Sequence, residues 1–128
     1  MNKTKQSPAM ITELAENEIF VFGSNIRGMH AGGAARLALK WGAIMGQGVG
    51  LQGQTYAIPT MSGSVESIKA YVDEFITFAQ SHGELKFLVT EIGCGIAGYT
   101  PQDIAPLFKD ALGVDNIYLP ERFIAMIS

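Results

Sequence analysis

Cysteine, histidine and charged residues are all scarce in this sequence of 128 residues. A single cysteine excludes an internal disulfide, and one cysteine with two histidines cannot form a metal-ligand cluster, so the sequence predicts neither a metal nor another cofactor. Charged residues amount to 16% and the net charge is −3. Because such a chain has no basic surface, nucleic acid is not expected as its main partner.

Long hydrophobic runs are missing as well. The apolar runs are far shorter than a membrane span, and residues 1–8 lack the apolar core of a signal peptide. We therefore expect a cytoplasmic protein with no membrane partner. The length and a hydrophobic content of 48% predict a single domain over residues 1–128, with a flexible start at 1–9. The oligomeric state does not follow from the sequence.

Glycine is abundant, and its 15 residues are concentrated at 23–53 and 93–98. The second group follows an apolar run at 87–90 that is typical of a buried strand, and Thr100-Pro101 then predicts a helix start. A glycine-rich turn between a strand and a helix can present backbone N–H groups to an anion. The alternative is a tight connection without a ligand. Three glycines within six residues favour a binding loop.

A second loop of this kind comes early in the chain. Ile19-Phe20-Val21-Phe22 predicts a central strand, and a loop at 23–33 leads into a helix whose apolar positions end at Gly42. A third glycine-rich stretch contains Gly48-Val49-Gly50-Leu51-Gln52-Gly53, a literal G-x-G-x-x-G. The dinucleotide fingerprint needs a strand before it and a helix after it, whereas here the order is reversed. A flap over a site, or a plain connection, is the better interpretation.

The other predicted elements alternate between helix and strand. They are a strand at 55–59, a helix from the N-cap Ser64 to Gly83, a helix kinked by Pro106, a strand at 116–119, and a strand or docked tail at 123–127. This alternation predicts an α/β fold with a largely parallel sheet. In such sheets ligands bind beyond the carboxyl ends of the strands, so the loops at 23–33 and 93–98 should converge on one cleft.

Three segments carry a resemblance to a known family. They are Val21-Phe22-Gly23-Ser24-Asn25 with Gly28 and the helix start at Gly32-Gly33-Ala34; Tyr56-Ala57-Ile58-Pro59-Thr60; and Ile92-Gly93-Cys94-Gly95-Ile96-Ala97-Gly98-Tyr99. In order and spacing, over roughly residues 18–119, they resemble the macrodomain family. The third segment looks like the second phosphate loop of the branch whose loop reads I-G-C-G-L.

The resemblance implies a three-layer α/β/α fold with a mixed, largely parallel sheet, and a site for ADP-ribose or a related nucleotide. Family members bind ADP-ribose groups or hydrolyse them from proteins, nucleic acids or small molecules. By position, Asn25 would bond the distal ribose and the two glycine loops would hold the diphosphate. The implied ligand-binding residues are Gly23, Ser24, Asn25, Gly28, Gly32, Gly33, Gly93, Cys94, Gly95, Ile96, Ala97, Gly98 and Tyr99.

The sequence departs from the family at several positions. The family's extra N-terminal strand and its adenine-binding aspartate have no clear equivalent, so adenine specificity does not follow. The lysine and acid of one hydrolytic branch are replaced here by Leu51 or Gln52 and by Ala97. Another branch uses the asparagine and a positioned water, and Asn25 is retained for that role.

Single residues have competing interpretations. Asn25 can orient a ribose hydroxyl or cap its own turn, and His30 can act as a general base or be an exposed loop histidine. Cys94 can be a nucleophile, although packing is the favoured role. The remaining candidates are Tyr99 as a stacking ring or a turn anchor, Glu91 as a base or an ion-pair partner, and Arg27 as a phosphate fork or a surface charge.

Three functions remain open from the sequence. The first is a binding module or weak hydrolase for a small ADP-ribose-like ligand. The second is a hydrolase of another phosphorylated, nucleotide-derived small molecule. The third is a non-catalytic interaction protein that keeps the fold without a working site.

Overall fold

The computed structural model describes residues 5–8, 10–25, 27–28, 33–60, 64–94 and 97–128. At its centre is one six-stranded sheet, made of β1 (Lys5–Gln6), β2 (Glu18–Ser24), β3 (Gly50–Gln52), β4 (Thr55–Pro59), β5 (Lys86–Val89) and β6 (Ile117–Leu119). The strand order is β1-β6-β5-β2-β4-β3. All neighbours are parallel except β3, which runs antiparallel to β4. The predicted α/β fold with a mixed, largely parallel sheet is confirmed.

The first strand corrects two expectations. Lys5 and Gln6 pair in parallel with Tyr118 and Leu119, and the next residue, Ser7, is 2% exposed and donates a hydrogen bond to the carbonyl of Val89. Lys5 and Gln6 are therefore part of the sheet and not of a flexible start, whereas residues 1–4 and 9 lie outside the described residues. A short N-terminal strand is also present, although the sequence shows no clear equivalent of the extra N-terminal strand of macrodomains.

Helices connect the strands, and most begin and end near their predicted positions. They are α1 (Gly33–Ala38), continued by a 3-10 turn at Leu39–Trp41; α2 (Val65–Gln80); α3 (Pro101–Ile104), continued by a 3-10 helix at Ala105–Ala111; and α4 (Glu121–Ile127). Gly42 ends the first with a φ of 108°, as its lack of a Cβ allows. Ser64 and Thr100 cap α2 and α3, each through a reciprocal capping box. No helix in the described ranges is both long and apolar enough to cross a membrane.

Two helical segments differ in detail from the sequence-based prediction. The expected disturbance at Pro106 takes the form of a change from α to 3-10 geometry one residue earlier, since proline cannot donate the α-helical hydrogen bond. Residues 123–127, predicted as a strand or docked tail, belong to α4. This helix packs its fully buried Phe123 against Phe108, with ring centroids 5.6 Å apart.

The sheet is covered on both faces, because successive side chains of β2 point in opposite directions. Ile19 and Val21 enter the larger core, which also contains buried side chains of α2, the 3-10 helix after α3, and α4. Phe20 and Phe22 enter a smaller core on the opposite face, under α1. The described part of the chain is thus a three-layer α/β/α arrangement.

The glycine-rich stretch before β3 is a structured connection. It follows a helical turn and precedes a strand, so the rejection of a dinucleotide fingerprint is confirmed. Gln52, only 2% exposed, accepts a hydrogen bond from the Ile44 amide at 2.7 Å and donates to the Gln47 carbonyl at 2.9 Å. The Gln47 side chain in turn donates to the carbonyls of Val49 and Leu51. These bonds occupy part of the polar edge of β3.

Candidate functional site

The two glycine loops meet at the carboxyl ends of β2 and β5. A Cβ atom added to Gly23 would lie 3.3 Å from the backbone nitrogen of Gly93, 3.4 Å from the Cα of Ile92 and 3.2 Å from Thr60 Oγ1. The backbones at Gly23 and Gly93 therefore approach each other more closely than most larger residues would allow. The predicted convergence of the loops is confirmed for these residues.

Strand pairing explains why the loops meet. β2 and β5 are parallel neighbours with Val21 opposite Val89, so both chains leave the sheet at the same edge. Just beyond β5, Thr90 extends the contact, because both its amide and its hydroxyl donate to the Val21 carbonyl, at 3.1 and 2.8 Å. This pairing fixes where each loop begins.

The end of β2 and the loop after it contact the stretch that precedes β3. The hydroxyl of Ser24 donates a hydrogen bond to the carbonyl of Gly48, so this side chain helps to fix the start of the loop. Gly28, with a φ of 71°, packs so closely that an added Cβ would lie 2.3 Å from the Gln47 nitrogen. Its amide donates to the Asn25 carbonyl at 2.9 Å, which closes a tight turn. Asn25 itself is half-buried at the top of β2.

The loop after β5 is closed by Tyr99. The Tyr99 amide donates to the Gly93 carbonyl at 2.8 Å, and its ring lies 3.5 Å from the position of a Cβ on Gly93. The ring also packs against the larger core, so Tyr99 anchors the turn. Thr100 is the N-cap of α3, so the first turn of that helix directly follows the loop.

Several amides in this loop have no acceptor among the residues that the structure describes. Among the residues that the structure describes, no acceptor is found for the backbone N–H groups of Gly93, Ala97 and Gly98. Gly93 is buried, whereas Ala97 is half-buried and Gly98 is exposed. An unpaired N–H in a buried position is costly, because it loses its bond to water without a replacement. The Gly93 amide is therefore a candidate donor to a ligand.

A cavity of about 540 Å³ lies among α1, the chain just beyond β5, and the segments at 6–8, 10–11 and 120–122. Ala34 and Leu37 of α1 and Thr90-Glu91 beyond β5 form the walls nearest to the loops. The walls are mainly apolar, and the other lining residues that matter here are Met10, Ile11, Phe20, Val89, Pro120 and Arg122. Such a volume is within the usual range for a small-molecule site.

The polar wall of the cavity contains an ion pair between Glu91 and Arg122. Arg122 Nε and Nη2 donate to the two carboxylate oxygens of Glu91 at 2.7 and 2.6 Å. These bonds lower the pKa of Glu91 and outweigh the opposing effect of its partial burial. Glu91 therefore remains a carboxylate at neutral pH. Its predicted alternative role as an ion-pair partner is the one that the geometry supports.

Cys94 is poorly suited to be a nucleophile. Burial raises the pKa of its thiol, and the neighbouring Glu91 carboxylate raises it further, whereas Arg122 acts in the opposite direction. The sulfur lies 3.5 Å from the Ile92 carbonyl and packs against the core. Because the thiolate is the reactive form, a raised pKa favours the packing role.

The remaining predicted residues divide into two groups. Gly33 begins α1 and Arg27 is exposed on the loop before it. His30, Gly32, Gly95 and Ile96 lie outside the described residues, so their predicted roles stay predictions. At the two positions where the resemblance implies a catalytic pair, Leu51 is exposed and Gln52 is buried, and Ala97 has no ionisable group.

Sequence reasoning did not predict Arg122 as part of the site. It lies 31 residues from Glu91 in the chain, and no local pattern relates the two. The cavity walls that Met10 and Leu37 provide were missed for the same reason, since they come from separate parts of the fold. Neither protein-family models nor curated proteins, when compared with this chain, give a match.

Proposed function

We propose that this chain is a macrodomain-like binding protein for ADP-ribose or a closely related nucleotide diphosphate. In this proposal the diphosphate lies between the loops that follow β2 and β5. The nucleoside occupies the adjoining cavity, and Asn25 faces the distal ribose. The three-layer fold with a mixed sheet is consistent with the resemblance, and the site stands where parallel sheets bind ligands.

The observation that carries the proposal is the buried amide of Gly93 opposite Gly23. Within the described ranges this N–H has no acceptor. There is also little room for a side chain at either Gly23 or Gly93. Backbone N–H donors in a turn bind phosphate oxygens without requiring lysine or arginine. A net charge of −3 does not contradict such a site, because the donors are local dipoles of the main chain.

The cavity supports the nucleoside part of the ligand. Its exposed apolar side chains, Leu37 and Met10, provide a surface on which a planar base can lie. In this proposal one ligand extends from the cavity, past Thr90 and Glu91 in its wall, to the amides of the loop after β5. A free phosphate would use only the loops and would leave the cavity without a role.

Binding is favoured over hydrolysis by the state of the ionisable groups. Glu91 is bonded to Arg122, and the raised pKa of Cys94 disfavours its thiolate. Neither residue is therefore set up as a base or nucleophile. Only Asn25 is left from the family's chemistry among the described residues, and an amide cannot accept a proton at neutral pH.

Calorimetry tests the proposal. We expect saturable binding of ADP-ribose, weaker binding of ADP and AMP, and the weakest binding of adenosine, because each successive ligand loses contacts to the loops. The same solutions should show no release of ADP or AMP from ADP-ribose over hours. Absence of any binding at millimolar ADP-ribose would refute the proposal, and rapid turnover would replace a binder with a hydrolase.

A further inference from the structure

Within the described ranges, Arg122 uses only part of its hydrogen-bonding capacity. A guanidinium carries five N–H groups, and Arg122 directs two of them at Glu91. No other protein acceptor is found for this side chain among the described residues. The side chain is 60% exposed, so the three remaining N–H groups face solvent or the cavity.

The position of Arg122 relates the cavity to the loop after β5. Arg122 lines the cavity, and its partner Glu91 precedes Gly93 by two residues. The guanidinium is also close enough to Cys94, inside that loop, to act on the pKa of the thiol. Arg122 thus joins a wall of the cavity to the chain that leads into the loop after β5.

Charge makes this junction important for an anionic ligand. A carboxylate at Glu91, next to an anion-binding loop, would repel a phosphate, and its low pKa keeps it charged. The bidentate bond to Arg122 neutralises this charge and holds the guanidinium in one orientation. A held guanidinium binds a phosphate at a lower entropic cost than a freely moving one.

We propose that Arg122, oriented by Glu91, directly contacts a phosphate of the bound nucleotide and is the cationic anchor of the site. This inference rests on the proposed function and adds a specific side chain to it. The alternative is an exposed ion pair that joins α4 to the end of β5 and contributes little, as such pairs often do. The two interpretations differ in what happens to ligand affinity when Arg122 is replaced.

The first test measures the affinity of ADP-ribose by calorimetry for wild type, Arg122→Ala and Arg122→Lys. A lost charge-assisted contact should weaken binding about ten- to a hundredfold in Arg122→Ala. Arg122→Lys should recover part of the loss, because lysine keeps the charge without the fork. Lys69→Ala is the matched control, since Lys69 forms an exposed ion pair with Asp73 on α2. It should bind as tightly as wild type.

The second test separates direct contact from mere neutralisation of Glu91. If Arg122 only masked that carboxylate, the double variant Glu91→Gln/Arg122→Ala would bind like wild type. Direct contact predicts that the double variant stays several-fold weaker.

The outcomes also distinguish this inference from the proposed function. Wild-type protein that fails to bind ADP-ribose would refute the proposed function before any variant is compared. Two results would leave that function intact and overturn the role of Arg122, provided that the wild type binds ADP-ribose. One is an unchanged affinity in Arg122→Ala, and the other is wild-type affinity in the double variant. Thermal melting of each variant establishes that the fold is retained.

Discussion

Gly23 and Gly93 lie backbone against backbone at the carboxyl ends of two neighbouring parallel strands. The hypothetical Cβ of Gly23 would be 3.3 Å from the Gly93 nitrogen, a separation tighter than nearly all real Cβ contacts. Any side chain at position 23 must therefore push against the amide that the proposed phosphate site uses. The proposed binding and the local packing thus involve the same pair of residues.

This contact predicts a specific effect of enlarging Gly23. Gly23→Val should abolish measurable ADP-ribose binding, because the added methyl groups would displace Gly93 and Thr60. It should also lower the free energy of unfolding by about 1–3 kcal/mol through overpacking. Gly83→Ala is the control, since no heavy atom lies within 4 Å of its added Cβ. Normal binding by Gly23→Val would show that the two loops do not share a ligand.

Gly28 provides a test of how the loop after β2 is supported. Both Gly28 and Gly46 have positive φ, 71° and 95°, but only Gly28 has a close neighbour, the Gln47 nitrogen at 2.3 Å from its added Cβ. Alanine at either position should cost about 1 kcal/mol or more for the left-handed conformation. Gly28→Ala should cost about 1–3 kcal/mol beyond Gly46→Ala, because of the clash. Equal values in urea unfolding would show that the contact is unimportant.

Gln52 should be important for stability although it is polar. Gln52→Leu removes the acceptor for the Ile44 amide and the donor to the Gln47 carbonyl. We expect a loss of about 1–3 kcal/mol, since a hydrogen-bonding group that loses its partner in a buried position costs about that much. Gln80→Ala, on the exposed side of α2, should change stability by less than about 0.5 kcal/mol. Urea denaturation of the two variants measures the difference.

The ion pair between Glu91 and Arg122 predicts a dependence of stability on pH. The folded state lowers the pKa of Glu91 below its ordinary value of 4.5, chiefly through the bond from Arg122. Stabilisation from this pair is therefore complete above that value and is lost as the pH falls through the lowered pKa. The difference in melting temperature between wild type and Arg122→Ala should shrink as the pH falls from 6 to 3. A difference that grows on acidification would contradict this assignment.

Local signals in the sequence predicted much of the fold. Thr100-Pro101, Ser64 and Gly42 mark helix ends through hydrogen bonds or backbone geometry that involve only nearby residues, and all three are found in those roles. The run at 19–22 predicted a central strand, because burial on both faces requires apolar residues at every position. Glycine spacing then located both loops.

Long-range partners account for what the sequence did not predict. Lys5–Gln6 is polar and exposed, and it is a strand only because it pairs with β6, more than a hundred residues later. No local sequence pattern distinguishes Gln52, which is buried and bonded to a loop, from a glutamine on the surface. The helical state of 121–127 had a weak signal in Pro120-Glu121, a proline followed by an acid, which the short length of the segment obscured.

The most direct measurement is a titration of isotope-labelled protein with ADP-ribose, followed by amide NMR. The account predicts saturable shifts of the amide resonances of Gly23, Gly93 and Gly98, with the Gly93 proton moving downfield as it gains an acceptor. Residues of α2 that face away from the site, such as Lys69, should not move. Binding without any change at Gly93, or shifts confined to another face of the molecule, would contradict the account.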